Sequence, residues 1–219
     1  MCGRYGFVPG EDFYKRFNVV NRLERLEKHY NVTPGMRMPV IIRSSPNQVE
    51  LMRWGLIPFW AKDPKIGYKM INARAEGIEN KPAFRIPFRQ SRCLIPTSYF
   101  FEWKRIGEDK IPYLVRLKDK GVFAFAGLFD TWKDAEGYPL KSFTIITTQP
   151  NELVGKIHDR MPVILDGEAE KVWLDTEVTS LTDLVKLLKP YQKEKMEAYP
   201  VSKLVNNPRN DSSEITKAV

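Results

Sequence analysis

Between Arg92 and Thr147 the chain carries five short runs rich in aromatic and β-branched residues: Cys93–Ile95, Tyr99–Arg105, Pro112–Leu117, Val122–Phe129 and Ser142–Thr147. Such residues favour a pleated, half-buried surface, and turn residues such as Gly107-Glu108-Asp109-Lys110 separate the runs, so the middle of the chain is committed to strands. Met38–Arg43 and Val49–Trp54 flank Ser44-Ser45-Pro46-Asn47 and read as a hairpin, and Gly3–Val8 reads as a short strand stopped by Pro9-Gly10. Tyr30–Gly35 reads as a turn, and Trp54–Trp60 as a loop presenting flat rings.

Helical signals sit mainly at the flanks. Phe13 and Phe17 share one face of Glu11–Phe17, and Ile71–Glu76, Pro82–Phe84 and Phe88-Arg89 read as short helical turns in a basic, aromatic region. Ser180 is a plausible N-cap with Asp183 three residues on, and Leu181, Leu184, Val185 and Leu188 then recur at helical spacing before Lys189-Pro190. At 219 residues and 42% hydrophobic content the chain can bury one full core. The reading is an α+β fold: a single domain over 1–219 with a mostly antiparallel, barrel-like β core flanked by helices, and a helical C-terminal part over 166–219.

Lys and Arg number 35 against 27 Asp and Glu, a net charge of +8, which favours an anionic partner, nucleic acid first. That charge is spread along the chain, as it also is in many ordinary basic proteins. No apolar run is long enough to span a bilayer and no signal-like segment opens the chain, so a cytoplasmic protein with no membrane partner is expected. Cys93, in apolar Arg92-Cys93-Leu94-Ile95-Pro96, reads as a buried free thiol. Two cysteines and two histidines without ligand spacing make no metal site, and no cofactor is expected.

Cys2 has chemistry that no other residue type offers. Once Met1 is removed it carries an α-amine and a thiol on one skeleton, with ordinary pKa values of about 8 and about 8.5. Such a 1,2-aminothiol attacks an aldehyde through nitrogen, loses water to give a Schiff base, and closes through sulfur into a thiazolidine. Three other polar residues stand in unusual surroundings: Asn72 before Ala73-Arg74, Glu102 within Tyr99-Phe100-Phe101-Glu102-Trp103, and His158 between Ile157 and Asp159. Glu102 either lies against these rings, which would raise its pKa towards that of a general acid at neutral pH, or points outward from a half-buried strand. His158 titrates in the range for proton transfer, although a lone histidine is often structural. His29 takes the structural reading.

Met-Cys-Gly-Arg at the N-terminus, Tyr30–Gly35, Arg53–Pro58, Ile71–Glu76, Arg92–Pro96, Phe101–Lys104 and Ile157–Pro162 together resemble the SOS response-associated peptidase (SRAP) family. The resemblance runs in order from residue 2 to about 165, with a fainter echo in Val205–Asn210. Two places depart from it. Thr97-Ser98-Tyr99 stands where relatives often carry Ala-Asp-Gly, and Phe59-Trp60-Ala61 where relatives can have paired tryptophans.

The resemblance implies a sensor and shield of abasic sites in single-stranded DNA. It would form a covalent thiazolidine crosslink through Cys2 after autocatalytic removal of Met1, and could have a lyase-type activity. It implies Cys2 as nucleophile, Asn72 orienting the amine and sugar, Glu102 exchanging protons during Schiff-base formation, and His158 assisting ring opening and reversal. Arg74 and Arg160 are expected to grip phosphates. Phe59 and Trp60 are expected to stack on bases, with Arg4, Pro34 and Thr147 completing the DNA-binding shell. The partner is single-stranded DNA containing abasic sites, the protein a monomer that joins the nucleoid on DNA damage. Two other readings stay open: a thiol peptidase with Cys2 as nucleophile and His158 as base, and a non-catalytic module binding single-stranded or modified DNA.

Overall fold

The computed structural model describes residues 2–219 apart from 43–46, 176 and 179. The strands are β1 (Tyr5–Phe7), β2 (His29–Val32), β3 (Arg37–Ile42), β4 (Gln48–Trp54), β5 (Asn72–Arg74), β6 (Arg92–Thr97), β7 (Tyr99–Ile106), β8 (Asp109–Leu117), β9 (Phe123–Lys133), β10 (Pro139–Thr148), β11 (Met161–Pro162), β12 (Ile164–Leu165) and β13 (Met196–Pro200). Four short α-helices accompany them: α1 (Phe13–Arg16), α2 (Arg85–Gln90), α3 (Gly167–Leu174) and α4 (Leu181–Lys186).

Two sheets organise the strands. The first is antiparallel, in the order β13-β8-β7-β1-β2. The second runs β11-β10-β4-β3-β6-β9-β12, and β9 also pairs with β10, so β10, β4, β3, β6 and β9 close into a ring. Closure removes free sheet edges. It is made by a parallel pair, Ser142 beside Arg53 and Phe143 beside Trp54, and β5 also lies parallel to β10. The barrel is therefore mixed, with four of its five pairings antiparallel, in keeping with the mostly antiparallel core expected from sequence. Alternation within a strand cannot reveal the direction of a partner far along the chain.

Aromatic rings join barrel and sheet. Tyr5 of β1 lies 5.1 Å from Trp54, which stacks on Phe143 at 6.4 Å, and Tyr5 also meets Phe125 edge-on. Each such side chain, fully buried, contributes about 1.5–3 kcal/mol by removing apolar area from water. Gly6 is required by packing, since a Cβ there would fall 2.1 Å from the Tyr99 ring.

The sequence reading needs three corrections. Tyr30–Val32 is strand and not turn: β2 pairs with β1, Tyr5 opposite Val32, and the reversal is confined to Thr33–Met36 with Gly35 at φ +93°. Asn72–Arg74 is strand and not the start of short helical turns, because it pairs with β10. The segment 166–219 is not all helical, because Met196–Pro200 adds the outer strand β13 to β8. Elsewhere the N-cap at Ser180 is present, its side chain accepting from the Asp183 amide. Of the expected hairpin turn, Ser44–Pro46 lies outside the described residues.

Candidate functional site

The N-terminal segment is held between strands. β1 pairs with β7 on one side and β2 on the other, and the Phe101 amide donates to the Arg4 carbonyl at 3.0 Å. Continuing this register towards the N-terminus sets Cys2 and Gly3 alongside Glu102 and Trp103. Cys2 is buried, and its Sγ lies 4.0 Å from the Arg4 carbonyl oxygen. Burial pushes the thiol pKa well up, and the nearby Glu102 carboxylate raises it further. The sulfur is therefore stored as a neutral thiol.

Asn72 reaches Cys2 from the barrel. β5 places it beside Ile145 of β10, and its Nδ2 donates to the Cys2 carbonyl oxygen at 2.8 Å. Its Oδ1 is buried with no hydrogen-bond partner among the described residues. Such an acceptor is costly to leave unmade, and it sits on the side chain that grips Cys2.

Glu102 points inward. It is 2% exposed, and burial pushes its pKa up to about 7. This settles the alternative between an inward and an outward carboxyl. Its Oε2 lies 3.8 Å from His158 Nε2. The Arg160 amide donates to His158 Nδ1 at 3.1 Å, and a nitrogen that accepts carries no proton, so the neutral ring holds its proton on Nε2, facing Glu102. The exposed Asp159 carboxylate lies 2.9 Å from the same Nδ1 and competes for that nitrogen when the ring is protonated. Burial lowers the His158 pKa, which keeps the neutral form dominant near pH 7.

Glu102 and His158 line a pocket of about 350 Å³ together with Trp103, Arg105 and Lys110. Arg105 and Lys110 face each other across β7 and β8, and among the described residues neither has a carboxylate within 4.0 Å. Two like charges directly opposite destabilise a strand pair, so an anion at this rim would be favoured. Sequence reasoning missed both residues, because it placed Lys110 in the turn, whereas β8 already begins at Asp109 and sets Lys110 opposite Arg105. A larger cavity of about 680 Å³ lies elsewhere, between Arg16, Phe17 and α3. Its buried Glu170 is paired bidentately with Arg16 at 2.7 and 2.8 Å, which leaves neither group for chemistry.

The expected DNA-binding residues divide by exposure. Phe59 and Trp60 are 54% and 49% exposed, and Arg74 is exposed at the end of β5. Pro34 sits at the turn beside β1. The others are turned inward. Arg160 donates to both Glu76 carboxylate oxygens, at 2.6 and 2.9 Å, and to the Thr147 carbonyl at 2.6 Å, while Thr147 is wholly buried. Arg4 is partly buried, and its Nη1 donates to Asn31 Oδ1 at 2.8 Å and to the Val205 carbonyl at 2.7 Å. Asn31, read from sequence as part of a turn, also donates to the Asn207 and Asn210 carbonyls, and Trp103 Nε1 donates to Asn206 Oδ1 at 2.8 Å. The faint Val205–Asn210 motif is thus a strap clamped against the N-terminal segment.

The profile of the family described as SOS response associated peptidase (SRAP) matches residues 1–208. The chain belongs to this family. A similar protein is Abasic site processing protein YoqW of Bacillus subtilis (strain 168), 51% identical over 223 residues and covering all of both chains. Abasic site processing protein HMCES of Xenopus tropicalis is 32% identical, over 90% of this chain and 68% of its own. A solved structure of a protein from Bacteroides thetaiotaomicron superimposes with a TM-score of 0.90 at 34% identity, covering both chains completely. The fold shared with that structure therefore extends over the whole chain. Among the described residues, no three His, Cys, Asp or Glu are grouped to hold a metal ion, and no helix is long and apolar enough to cross a membrane.

Proposed function

We propose that this SRAP chain processes abasic sites in single-stranded DNA by bonding covalently to them through Cys2. The observation that carries the reading is the grip of Asn72 on Cys2, 2.8 Å from side-chain amide to backbone carbonyl, because it fixes the residue bearing both nucleophiles. Relatives that are 51% and 32% identical carry the name abasic site processing protein, which supports the substrate class.

The chemistry requires Met1, which lies outside the described residues, to be removed first, and the family's peptidase description suits that step. An abasic deoxyribose is mostly a ring-closed hemiacetal. His158, with its proton on Nε2, moves a proton from the hemiacetal hydroxyl to the ring oxygen, opening the sugar to an aldehyde. The Cys2 amine attacks C1′, and Glu102 donates its proton to the departing hydroxyl, so that water leaves and an imine remains. The thiol then adds across the imine: sulfur bonds to C1′ and its proton passes to nitrogen. One water is released overall. The buried acceptor Asn72 Oδ1 is assigned to the amine or the sugar hydroxyl during these steps.

Arg105 and Lys110 are assigned to the phosphate next to the abasic sugar, Arg74 to another, and Phe59 with Trp60 to the bases. Arg160 and Thr147 take a positioning role, the Arg160 amide holding His158 while its guanidinium fastens to Glu76. The elevated Cys2 pKa weighs against a general thiol peptidase, which needs a thiolate beside an imidazolium.

The test is to incubate protein lacking Met1 with a single strand containing one abasic site and resolve the products by denaturing electrophoresis and intact mass. A denaturation-stable adduct of protein plus DNA minus one water is expected. Binding without such an adduct would leave only the non-covalent module.

A further inference from the structure

Arg37 of β3 and Arg53 of β4 are direct partners across the hairpin. Like charges opposite each other cost stability, and among the described residues neither arginine has a carboxylate within 4.0 Å. Beside them, in the 3-10 turn Pro64–Lys69, Tyr68 is 60% exposed. The Arg53 guanidinium lies over its ring, 5.0 Å from the centroid, and a Cβ at Gly35 would fall 3.7 Å from the ring edge. With one face under Arg53 and one edge at Gly35, the exposure falls to the opposite face. The stacked cation also fixes the ring's orientation, lowering the entropy lost when a second flat group packs on it.

This cluster is contiguous with the candidate site. Gly35 belongs to the Thr33–Met36 turn, which follows directly from the β2 residue paired with Tyr5 of β1. Trp54, next to Arg53, donates through Nε1 to the Ile71 carbonyl at 2.9 Å, one residue before Asn72. Pro34, Gly35 and Tyr68 are therefore joined through β2 and Trp54 to the elements that hold Cys2 and Asn72.

We propose that Arg37, Arg53 and Tyr68 form a second nucleotide subsite, where Tyr68 stacks on a base outside the abasic position and the two arginines hold the adjoining phosphate. The inference rests on single-stranded DNA being the substrate. An exposed ring with a cation fixed behind it and two unneutralised arginines suits a nucleotide, which offers a π-face and an anion together. Stacking of this kind tolerates any base, so the subsite adds reach along the strand without reading sequence.

The experiment measures the affinity of full-length protein for undamaged oligothymidylates of increasing length by fluorescence anisotropy, over a range of salt. For wild type, affinity is expected to step up at the length that fills the subsite. Tyr68→Leu should remove that step, a loss of roughly five- to a hundredfold on long strands, and Tyr68→Phe should retain it. Arg53→Gln and Arg37→Gln should each lower the salt slope by about 1. Tyr68→Leu binding every length as wild type does would overturn the proposal, as would equal losses from Leu and Phe. Because the probe is undamaged, these outcomes do not depend on Cys2 chemistry. Failure of the covalent reading would appear separately, as no adduct from wild type at saturating abasic DNA.

Discussion

The Nε2 of His158 stands 3.8 Å from Oε2 of Glu102, too far for a strong hydrogen bond and near enough for both to address one sugar. One group is a carboxyl with its pKa raised to about 7, the other an imidazole held near neutrality by burial. Two titrating groups whose environments push them in opposite senses suit the two directions of a reversible linkage.

The first expected outcome concerns His158. His158→Gln should slow exchange of a preformed adduct onto excess competing abasic DNA while the melting temperature stays close to wild type, since the ring is partly exposed. Exchange at the wild-type rate would return His158 to a structural role.

Glu102 gives a pH prediction for both rate and stability. As general acid it works protonated, so adduct formation should decline as pH rises through about 7, and Glu102→Gln should be slower and lack this limb. A carboxyl with a raised folded pKa stabilises the fold below its ordinary value and loses that contribution as pH climbs through the folded one. Between pH 4.5 and about 7 the wild type should lose on the order of 2–3 kcal/mol relative to Glu102→Gln. Parallel denaturation curves at pH 5 and pH 8 check this, and a constant difference between the two proteins would refute it.

Cys2→Ala should abolish the denaturation-stable adduct while leaving non-covalent affinity for single strands within about twofold. The check is denaturing electrophoresis beside anisotropy on the same sample. An undiminished adduct would place the nucleophile elsewhere.

Two arginines assigned alike from sequence should separate by measurement. Arg74→Gln should weaken binding, flatten its salt dependence and leave stability unchanged, as befits an exposed phosphate contact. Arg160→Gln should cost about 1–3 kcal/mol in folding, because it removes the bidentate partner of Glu76 and a buried donor from the Thr147 carbonyl, which keeps only the Ala75 amide. A salt slope lowered by Arg160→Gln at unchanged stability would restore its phosphate role.

Trp60→Ala should cost roughly 1–3 kcal/mol of single-strand affinity if the ring stacks on a base. Unchanged binding would remove it from the interface.

The strands from Cys93 to Thr147 were legible because bulky runs alternate with turn residues, whereas four aromatic neighbours marked Glu102 as unusual without fixing whether it faced inward. What escaped depends on partners distant in the chain. The parallel joining of β4 to β10 pairs Arg53 with Ser142, and nothing local in either run encodes that direction. Arg160 looks from sequence like any basic residue in a basic protein, and its burial depends on Glu76, 84 positions away. β13 was hidden because Met196–Pro200 is short, flanked by lysines and only half buried, so its strand character comes from the edge that β8 offers.

The clamp of Arg4 on Asn31 and on the Val205 carbonyl ties the N-terminal segment to residues 27 and 201 positions further along the chain. While the chain emerges from the ribosome, β1 has neither its β7 partner nor this strap, so the first residues stay an ordinary flexible end. The geometry around Cys2 is completed only after Val205 has been translated and docked. A product stalled before Val205 would carry the same first residues and lack the ordered environment around them, so the chemistry proposed for Cys2 waits on translation past Val205.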